Sequence, residues 1–355
     1  MTDNKIRNFI NELKVDAILI TDPYNIRYMS GFSGGEGYMF VTPEKKILYV
    51  DSRYTLWAKN ESRGCEVVET GQEAYKELND FAKKANINKI AVEGNHLKYN
   101  EFKEIKNKLA GYNLIPIDTE LDNLRMIKSE EEIELIAKAE HIGDEAFLYI
   151  LNEIKPGVTE KEIALKLEFY MRSHGAERLS FEVIAASGLN SASPHAMPSD
   201  KIIEEGDFLT LDFGCVYNGY CSDMTRTIVV GKANERQKEI YNIVKEAQQA
   251  ALDNIKAGMT GKEADSIARD IIASYGYADK FGHGLGHGIG LFIHEMPRLS
   301  VKGDIVLEPG MVVSVEPGIY IEGFGGVRIE DAVVIEENGV RNLTKSTKEL
   351  VEIKL

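Results

Sequence analysis

The sequence predicts an α/β domain followed by a larger domain of helices and β-hairpins built on an internal pseudo-twofold repeat. Three observations carry that reading. Short apolar strands alternate with helical stretches through the first third, the pattern of layered α/β structure. A helix-start signal near residue 129 opens a long apolar-periodic run. Beyond it, two kinds of segment recur later in the chain.

In the first third, DAILIT (Asp16–Thr21), KILYVD (Lys46–Asp51), KIAVEG (Lys89–Gly94) and LIPID (Leu114–Asp118) read as strands. EAYKELNDFAKKAN and YNEFKEIKNKLAGY read as helices, with apolar residues three and four apart. FSGGEGYMF reads as a turn entering a strand. Gly34 and Gly35 make no dinucleotide fingerprint, because the three-glycine spacing is missing.

The domain boundary is expected within DNLRMIKSEEEIELIAKAE, giving domains 1–124 and 125–355. Ser129 with Glu132 forms a capping box ahead of Ile133, Ile136, Ala137, Ile142 and Ala146, so a long helix opens the second domain.

The repeat has two parts. IKPGVTEKE (Ile154–Glu162) and IKAGMTGKE (Ile255–Glu263) match at six of nine positions, offset by 101 residues. Each reads as a helix end at Gly157 or Gly258, then a threonine cap with glutamate three residues on. GDFLTLDFG (Gly206–Gly214) and GMVVSVEPG (Gly310–Gly318) align at an offset of 104. Thr210 and Asp212 share one strand face, as do Ser314 and Glu316. Each half then turns and returns with another acid, Asp223 in CSDMTRTIVV and Glu330 in VRIEDAVVI.

Acids in apolar strands need a partner, since burying an unpaired charge is costly. Four carboxylates brought together without cations would repel and raise one another's pKa values. Two divalent cations would cancel their formal charge. One imidazole added to four carboxylates suits manganese and also admits cobalt, iron or zinc. Two such ions about 3.5–4 Å apart lower the pKa of a shared water.

FGHGLGHGIGLFIHE (Phe281–Glu295) supplies that imidazole from His283, His287 or His294. Its glycines alternate from Gly282 to Gly290, which weakens both helix and strand. A phosphate loop is excluded because no Gly-Lys-Ser/Thr follows, and GMTGKEA fails at Lys256 and Glu263. A zinc-protease HExxH is absent, since Met296, Pro297 and Arg298 follow His294 and Glu295. Metal or catalytic chemistry is the better reading for a run with three of the chain's seven histidines.

Bulk properties narrow the partners. A hydrophobic content of 43% with 28% charged residues describes an ordinary globular chain. A net charge of −15 argues against nucleic acid and against an anionic membrane surface. Cys65, Cys215 and Cys221 are too few and too scattered for a disulfide framework or a four-cysteine zinc site, and Cys215 and Cys221 read as packing residues. MTDNKIRNFI lacks the apolar core of a signal peptide, and no run of about 18 apolar residues occurs, so a cytoplasmic protein is expected.

With these residues in hand, nearly the whole chain resembles the pita-bread metallopeptidases of the Xaa-Pro dipeptidase (prolidase) and aminopeptidase P branch. NIRYMSGFSG and VDSRY are similar to the creatinase-type N-terminal domain. LDFGCVYNGYCSDMTRT, GHGLGHGIGLFIHE, SVEPGIY and GVRIED, in that order, carry the catalytic part. The resemblance implies an α/β domain over 1–124 and an α+β pita-bread catalytic domain over 125–355.

The resemblance also implies roles. Asp212, Asp223, His287, Glu316 and Glu330 would hold two divalent ions, manganese foremost, with Asp212 terminal on one, His287 and Glu316 on the other, and Asp223 and Glu330 bridging. His195, His283 and His294 match positions that bind substrate and steady the reacting carbonyl. Glu316 would shuttle a proton, and Arg328, on the strand face of Glu330, would hold a carboxylate. The implied reaction is hydrolysis of the bond between an N-terminal residue and proline, by attack of a metal-bridging hydroxide on a dipeptide or longer peptide. A homodimer is implied by the same relatives. The rival readings are a creatinase-like hydrolase working without metal, a methionine aminopeptidase, and a binding protein that kept the fold. The full set of five ligand residues speaks against the first and last, and the extra N-terminal domain against the second.

Overall fold

The apolar strands of the first third pair into one six-stranded sheet. Its strands are β1 (Ala17–Ile20), β2 (Tyr38–Val41), β3 (Lys46–Val50), β4 (Glu66–Glu69), β5 (Lys89–Glu93) and β6 (Asn113–Ile117). Their order is β4-β3-β2-β1-β5-β6. The β2 strand is antiparallel to both neighbours, and the other pairs are parallel. Helices α1 (Asp3–Leu13), α2 (Pro23–Ser30), α3 (Thr55–Glu61), α4 (Lys76–Lys84) and α5 (Tyr99–Lys108) alternate with the strands. Apolar cores form on both faces. Ile18, Ile20, Met39 and Leu48 belong to one, and Leu19, Phe40, Ile47 and Tyr49 to the other. That alternation is the two-residue period of a covered sheet.

The computed structural model describes residues 3–73 and 75–355. Met1 and Thr2, part of the reading of the chain start, and Ala74, within the first predicted helix, lie outside the described residues. The chain divides into two compact units, Met1–Arg125 and Met126–Leu355.

In the second unit, helix α6 (Glu130–Ile150) starts at Ser129, whose side chain accepts from the Glu132 N–H while the Glu132 carboxylate accepts from the Ser129 N–H. Such a cap contributes about 1 kcal/mol. The first half continues through α7 (Glu160–Ser173), β7 (Arg178–Leu179), β8 (Ile184–Ser187), β9 (Phe208–Phe213), β10 (Cys215–Tyr217), β11 (Tyr220–Cys221) and β12 (Met224–Val230). The second half comprises α8 (Glu235–Asn254), α9 (Gly261–Ser274), β13 (Gly286–Gly288), β14 (Glu295–Leu299), β15 (Val312–Val315), β16 (Gly318–Ile321), β17 (Gly325–Arg328), β18 (Asp331–Glu336) and β19 (Gly339–Asn342). The last strand, β20 (Glu352–Ile353), returns to pair with β12.

Each half packs its helix pair on its own sheet. Helices α6 and α7 share an apolar core with β9 and β12 in a sheet of order β20-β12-β9-β8, through Phe147, Leu167, Leu211 and Ile228. Helices α8 and α9 do the same with β15 and β18 in a sheet of order β14-β13-β15-β18-β19, through Val244, Ala268, Val313 and Val333. The first of these sheets meets the residue before β18 where Glu330 N–H bonds the Thr225 carbonyl (3.1 Å), and meets β17, of the two-stranded sheet β16-β17, where Arg328 N–H bonds Thr227 Oγ1 (3.1 Å). This is the α+β pita-bread arrangement.

The repeat is visible atom by atom. Gly157 and Gly258 both have positive φ, and their N–H groups bond the carbonyls of Ile203 and Leu307. Thr159 and Thr260 cap α7 and α9 through Glu162 and Glu263. The symmetry breaks at the returning acids. Asp212 pairs with Thr225, whereas the register of β15 and β18, extended by one residue, sets Glu330 opposite Glu316. Asp223 and Glu330 are therefore not equivalent positions. No helix among the described residues is long and apolar enough to cross a membrane.

Candidate metal centre and active site

One cavity of about 390 Å³ is lined by all nine residues singled out from the sequence: His195, Asp212, Asp223, His283, His287, His294, Glu316, Arg328 and Glu330. Asp212 lies on β9, Asp223 directly before β12, His287 on β13 and Glu316 directly after β15. Arg328 ends β17 and Glu330 precedes β18. Hairpins from both halves thus converge on a single space. Phe181, Ile184, Pro194, Arg298 and Ser300 complete much of its wall.

His287 sits at the centre. Its Nε2 is 3.5 Å from Asp223 Oδ2 and 3.4 Å from Glu316 Oε1. Its Nδ1 is 3.1 Å from the Gly288 carbonyl, which only accepts, so Nδ1 carries the hydrogen. Burial holds the imidazole pKa down to about 3, so the ring is neutral and Nε2 presents a lone pair to the carboxylates. Facing lone pairs at that distance need a proton or a cation between them. Ligand atoms of Asp223, His287 and Glu330 all lie within 4.8 Å of one another.

The carboxylates show the same demand. Burial, then the charges of Glu330, Asp212 and Glu316, push Asp223 well above the usual carboxylate range. Burial, then Glu316 and Asp212, do the same to Glu330. Glu316 is pushed up to about 7, again by burial first. Among the described residues, Asp212 Oδ1 is buried with no hydrogen-bond partner. A divalent cation fits this donor set, since it would satisfy that oxygen and relieve the mutual repulsion.

Residues 134–337 match the model of metallopeptidase family M24, and residues 4–127 match the creatinase/prolidase N-terminal domain. The chain belongs to metallopeptidase family M24. An Xaa-Pro dipeptidase from Pyrococcus furiosus is 47% identical over 98% of both chains. The solved structure of an Xaa-Pro dipeptidase from Bacillus anthracis is 45% identical, with a TM-score of 0.95 over 99% of this chain and 98% of that one. An X-Pro aminopeptidase from Thermotoga maritima is 41% identical, with a TM-score of 0.91 over 98% of this chain and 100% of that one.

Arg328 is a candidate from the sequence, but most of its partners, and several other supports of this M24 centre, are not evident there. Arg328 is buried and donates to Asp212 Oδ2 (2.5 Å), Thr225 Oγ1 (3.0 Å), the Tyr320 hydroxyl (2.8 Å) and the Pro194 carbonyl (3.3 Å). Thr225 in turn donates to Glu330 Oε2 at 2.6 Å. Ser314 accepts from His287 N–H and donates to Glu316 Oε1, both at 3.0 Å. Glu140, buried in α6, accepts from the Asp223 N–H at 2.8 Å. Burial pushes its carboxyl up to about 8.

The remaining histidines are placed differently from one another. His283 Nδ1 donates to the Gly284 carbonyl (2.8 Å), and Nε2 accepts from the Tyr320 hydroxyl (2.9 Å). Burial, then Arg328, lower its pKa to about 4, so it is neutral. The His294 ring packs edge-on against His287 with centroids 4.5 Å apart and faces the cavity, as does the exposed His195.

The glycines of the histidine run have a packing explanation. None from Gly282 to Gly290 has positive φ. A side chain at Gly286 would strike the Ser314 carbonyl, one at Gly288 the Met296 carbonyl, and one at Gly290 the Glu295 carboxylate. They let β13 lie close between its neighbours.

Proposed function

We propose that this metallopeptidase hydrolyses the peptide bond between an N-terminal residue and proline, with two divalent ions held by Asp212, Asp223, His287, Glu316 and Glu330. The convergence of four carboxylates and one neutral imidazole in a single cavity carries the reading. Manganese is the proposed ion, because oxygen donors outnumber the single nitrogen; cobalt, iron or zinc would also suit the set. Bound there, such ions supply Lewis acidity toward the carbonyl and acidify a water.

The chain's own residues would do the rest. Ser314 engages one oxygen of Glu316, which leaves Oε2 to take a proton and pass it to the leaving nitrogen. His195 and His294 face the cavity and would donate to the reacting carbonyl. Phe181, Ile184 and Pro194 offer an apolar wall for the proline ring, whose nitrogen carries no hydrogen to satisfy. Arg298 lines the same cavity, and among the described residues its guanidinium makes one long bond, 3.5 Å to the His294 carbonyl. It would suit the carboxylate of an Xaa-Pro dipeptide, so the dipeptidase reading is preferred to the aminopeptidase one.

The proposal extends, on the family resemblance, to a homodimer, to a cytoplasmic setting, and to domains at 1–124 and 125–355. Rates on Xaa-Pro, Xaa-Pro-Xaa and Xaa-Ala peptides, with manganese and after chelation, test it. Cleavage of the proline peptides alone, and only with metal, is expected. Equal turnover after exhaustive chelation would favour the creatinase-like reading, and no turnover of any of them would sink the peptidase reading.

A further inference from the structure

The internal repeat diverges at one position with a consequence for the cavity wall. Glu160 in IKPGVTEKE corresponds to Gly261 in IKAGMTGKE. Both open a helix after a threonine cap, and the chain beside them runs equivalently. Glu160 and Lys161 N–H bond the carbonyls of Lys201 and Ser199, as Gly261 and Lys262 N–H bond those of Ile305 and Gly303.

In the second half, a side chain at 261 would strike the Arg298 carbonyl, so the segment carrying Arg298 and Ser300 packs on bare backbone. In the first half that room is taken by a carboxylate. Glu160 is fully buried yet accepts from Ser187 N–H (2.6 Å) and Oγ (2.9 Å), Asn190 Nδ2 (3.0 Å), and Ser199 N–H (3.0 Å) and Oγ (2.6 Å). These donors bracket the loop that carries Pro194 and His195. Burial raises the Glu160 pKa, but the bonds from Ser199, Ser187 and Asn190 outweigh it and leave the group below its ordinary value. It is therefore an anion at neutral pH. No hydrogen bond to the His195 ring occurs among the described residues, so the ring's place depends on how its loop is anchored.

We propose that Glu160 is a positioning residue that clamps both ends of the 187–199 loop and so sets His195 against the reacting carbonyl. The inference rests on the peptidase reading, in which His195 touches substrate. It assigns each half of the repeat one wall of the cavity, held by the start of α7 or of α9.

The test is a double-mutant cycle with manganese-loaded full-length protein and an Ala-Pro dipeptide. Glu160→Ala should lower kcat/KM by up to about 100-fold, the scale of a misplaced catalytic group, with bound manganese unchanged. In a His195→Ala background the same change should alter kcat/KM by less than about twofold. Ser199→Ala and Asn190→Ala remove single donors, and should show smaller losses that vanish in that background. They carry the test if Glu160→Ala does not fold. With 13C-labelled histidine, the His195 resonance should broaden or split in Glu160→Ala and Ser199→Ala. Full additivity with His195→Ala, a His195→Ala enzyme of wild-type activity, or an unmoved His195 resonance would each overturn the proposal. A wild-type protein that cleaves no Xaa-Pro peptide would instead sink the peptidase reading, and the resonance would still judge the clamp.

Discussion

Arg328 donates through Nη2 to Asp212 Oδ2 at 2.5 Å, with both side chains buried. That pair holds one Asp212 oxygen; among the described residues the other is buried without a hydrogen bond, on a residue that lines the same cavity as Asp223, His287, Glu316 and Glu330. Because the same guanidinium also reaches Thr225, Tyr320 and Pro194, its planar fork does work that an ammonium cannot. Arg328→Lys should therefore lose kcat/KM by about 100-fold or more, within a few-fold of Arg328→Ala. Steady-state kinetics at saturating manganese checks this, and a Lys variant at near wild-type rate would contradict it.

The metal-free protein should lose stability as pH rises from about 6.5 to 8.5. Glu316 and Glu140 are pushed up to about 7 and about 8, and Asp223 and Glu330 lie well above the usual carboxylate range. In that window the folded chain holds protons that the unfolded chain has already released, so unfolding becomes easier with rising pH. His283 and His287, lowered to about 4 and about 3, act oppositely, but only below their ordinary value of about 6.5. The apo Tm should fall by about 3 °C or more, and manganese should flatten the profile. Differential scanning calorimetry of chelated and loaded protein measures both, and a flat apo profile would count against the converging carboxylates.

Close strand packing predicts a contrast among the glycines. Gly286→Ala puts a methyl against the Ser314 carbonyl, beside the Ser314 hydroxyl that holds the His287 backbone. It should cost about 1–3 kcal/mol in urea unfolding and weaken manganese binding. Gly282→Ala meets nothing within 4 Å among the described residues and should stay within about 0.5 kcal/mol of wild type.

The pattern of this site was legible where chemistry and periodicity coincide. Asp212 and Glu316 fall in matching apolar segments bounded by glycines, and Ser129, Thr159 and Thr260 announce their helices through a glutamate three residues on. What escaped depends on tertiary contact. Glu140 and Glu160 look like ordinary acids on helix surfaces, and only packing shows them buried with donors around them. Tyr320 and Thr225 carry no motif, and their roles arise because two hairpins from different halves meet. The register that sets Thr225 opposite Asp212 could not be read from acid spacing alone. Among the first-unit elements, α2 starts at an Asp22 cap and Pro23, and its eight residues are too few to show a clear apolar period. The β4 strand, EVVE, is too short and too polar at its ends to stand out.

Arg298 separates the two peptidase readings. If its guanidinium receives a substrate carboxylate, Arg298→Ala should raise KM for Xaa-Pro by about tenfold or more and leave Xaa-Pro-Xaa within about threefold. Equal effects on both substrates would remove the preference for a dipeptidase.

The central claim is that Asp212, Asp223, His287, Glu316 and Glu330 hold the ions on which catalysis depends. Asp223→Ala tests it most directly, with bound manganese and Xaa-Pro hydrolysis measured on the same sample. The account predicts two ions per wild-type chain, fewer in the variant, and loss of activity by about a thousandfold or more. An Asp223→Ala protein that keeps full activity, or a wild type that stays active after its metal is removed, would contradict it.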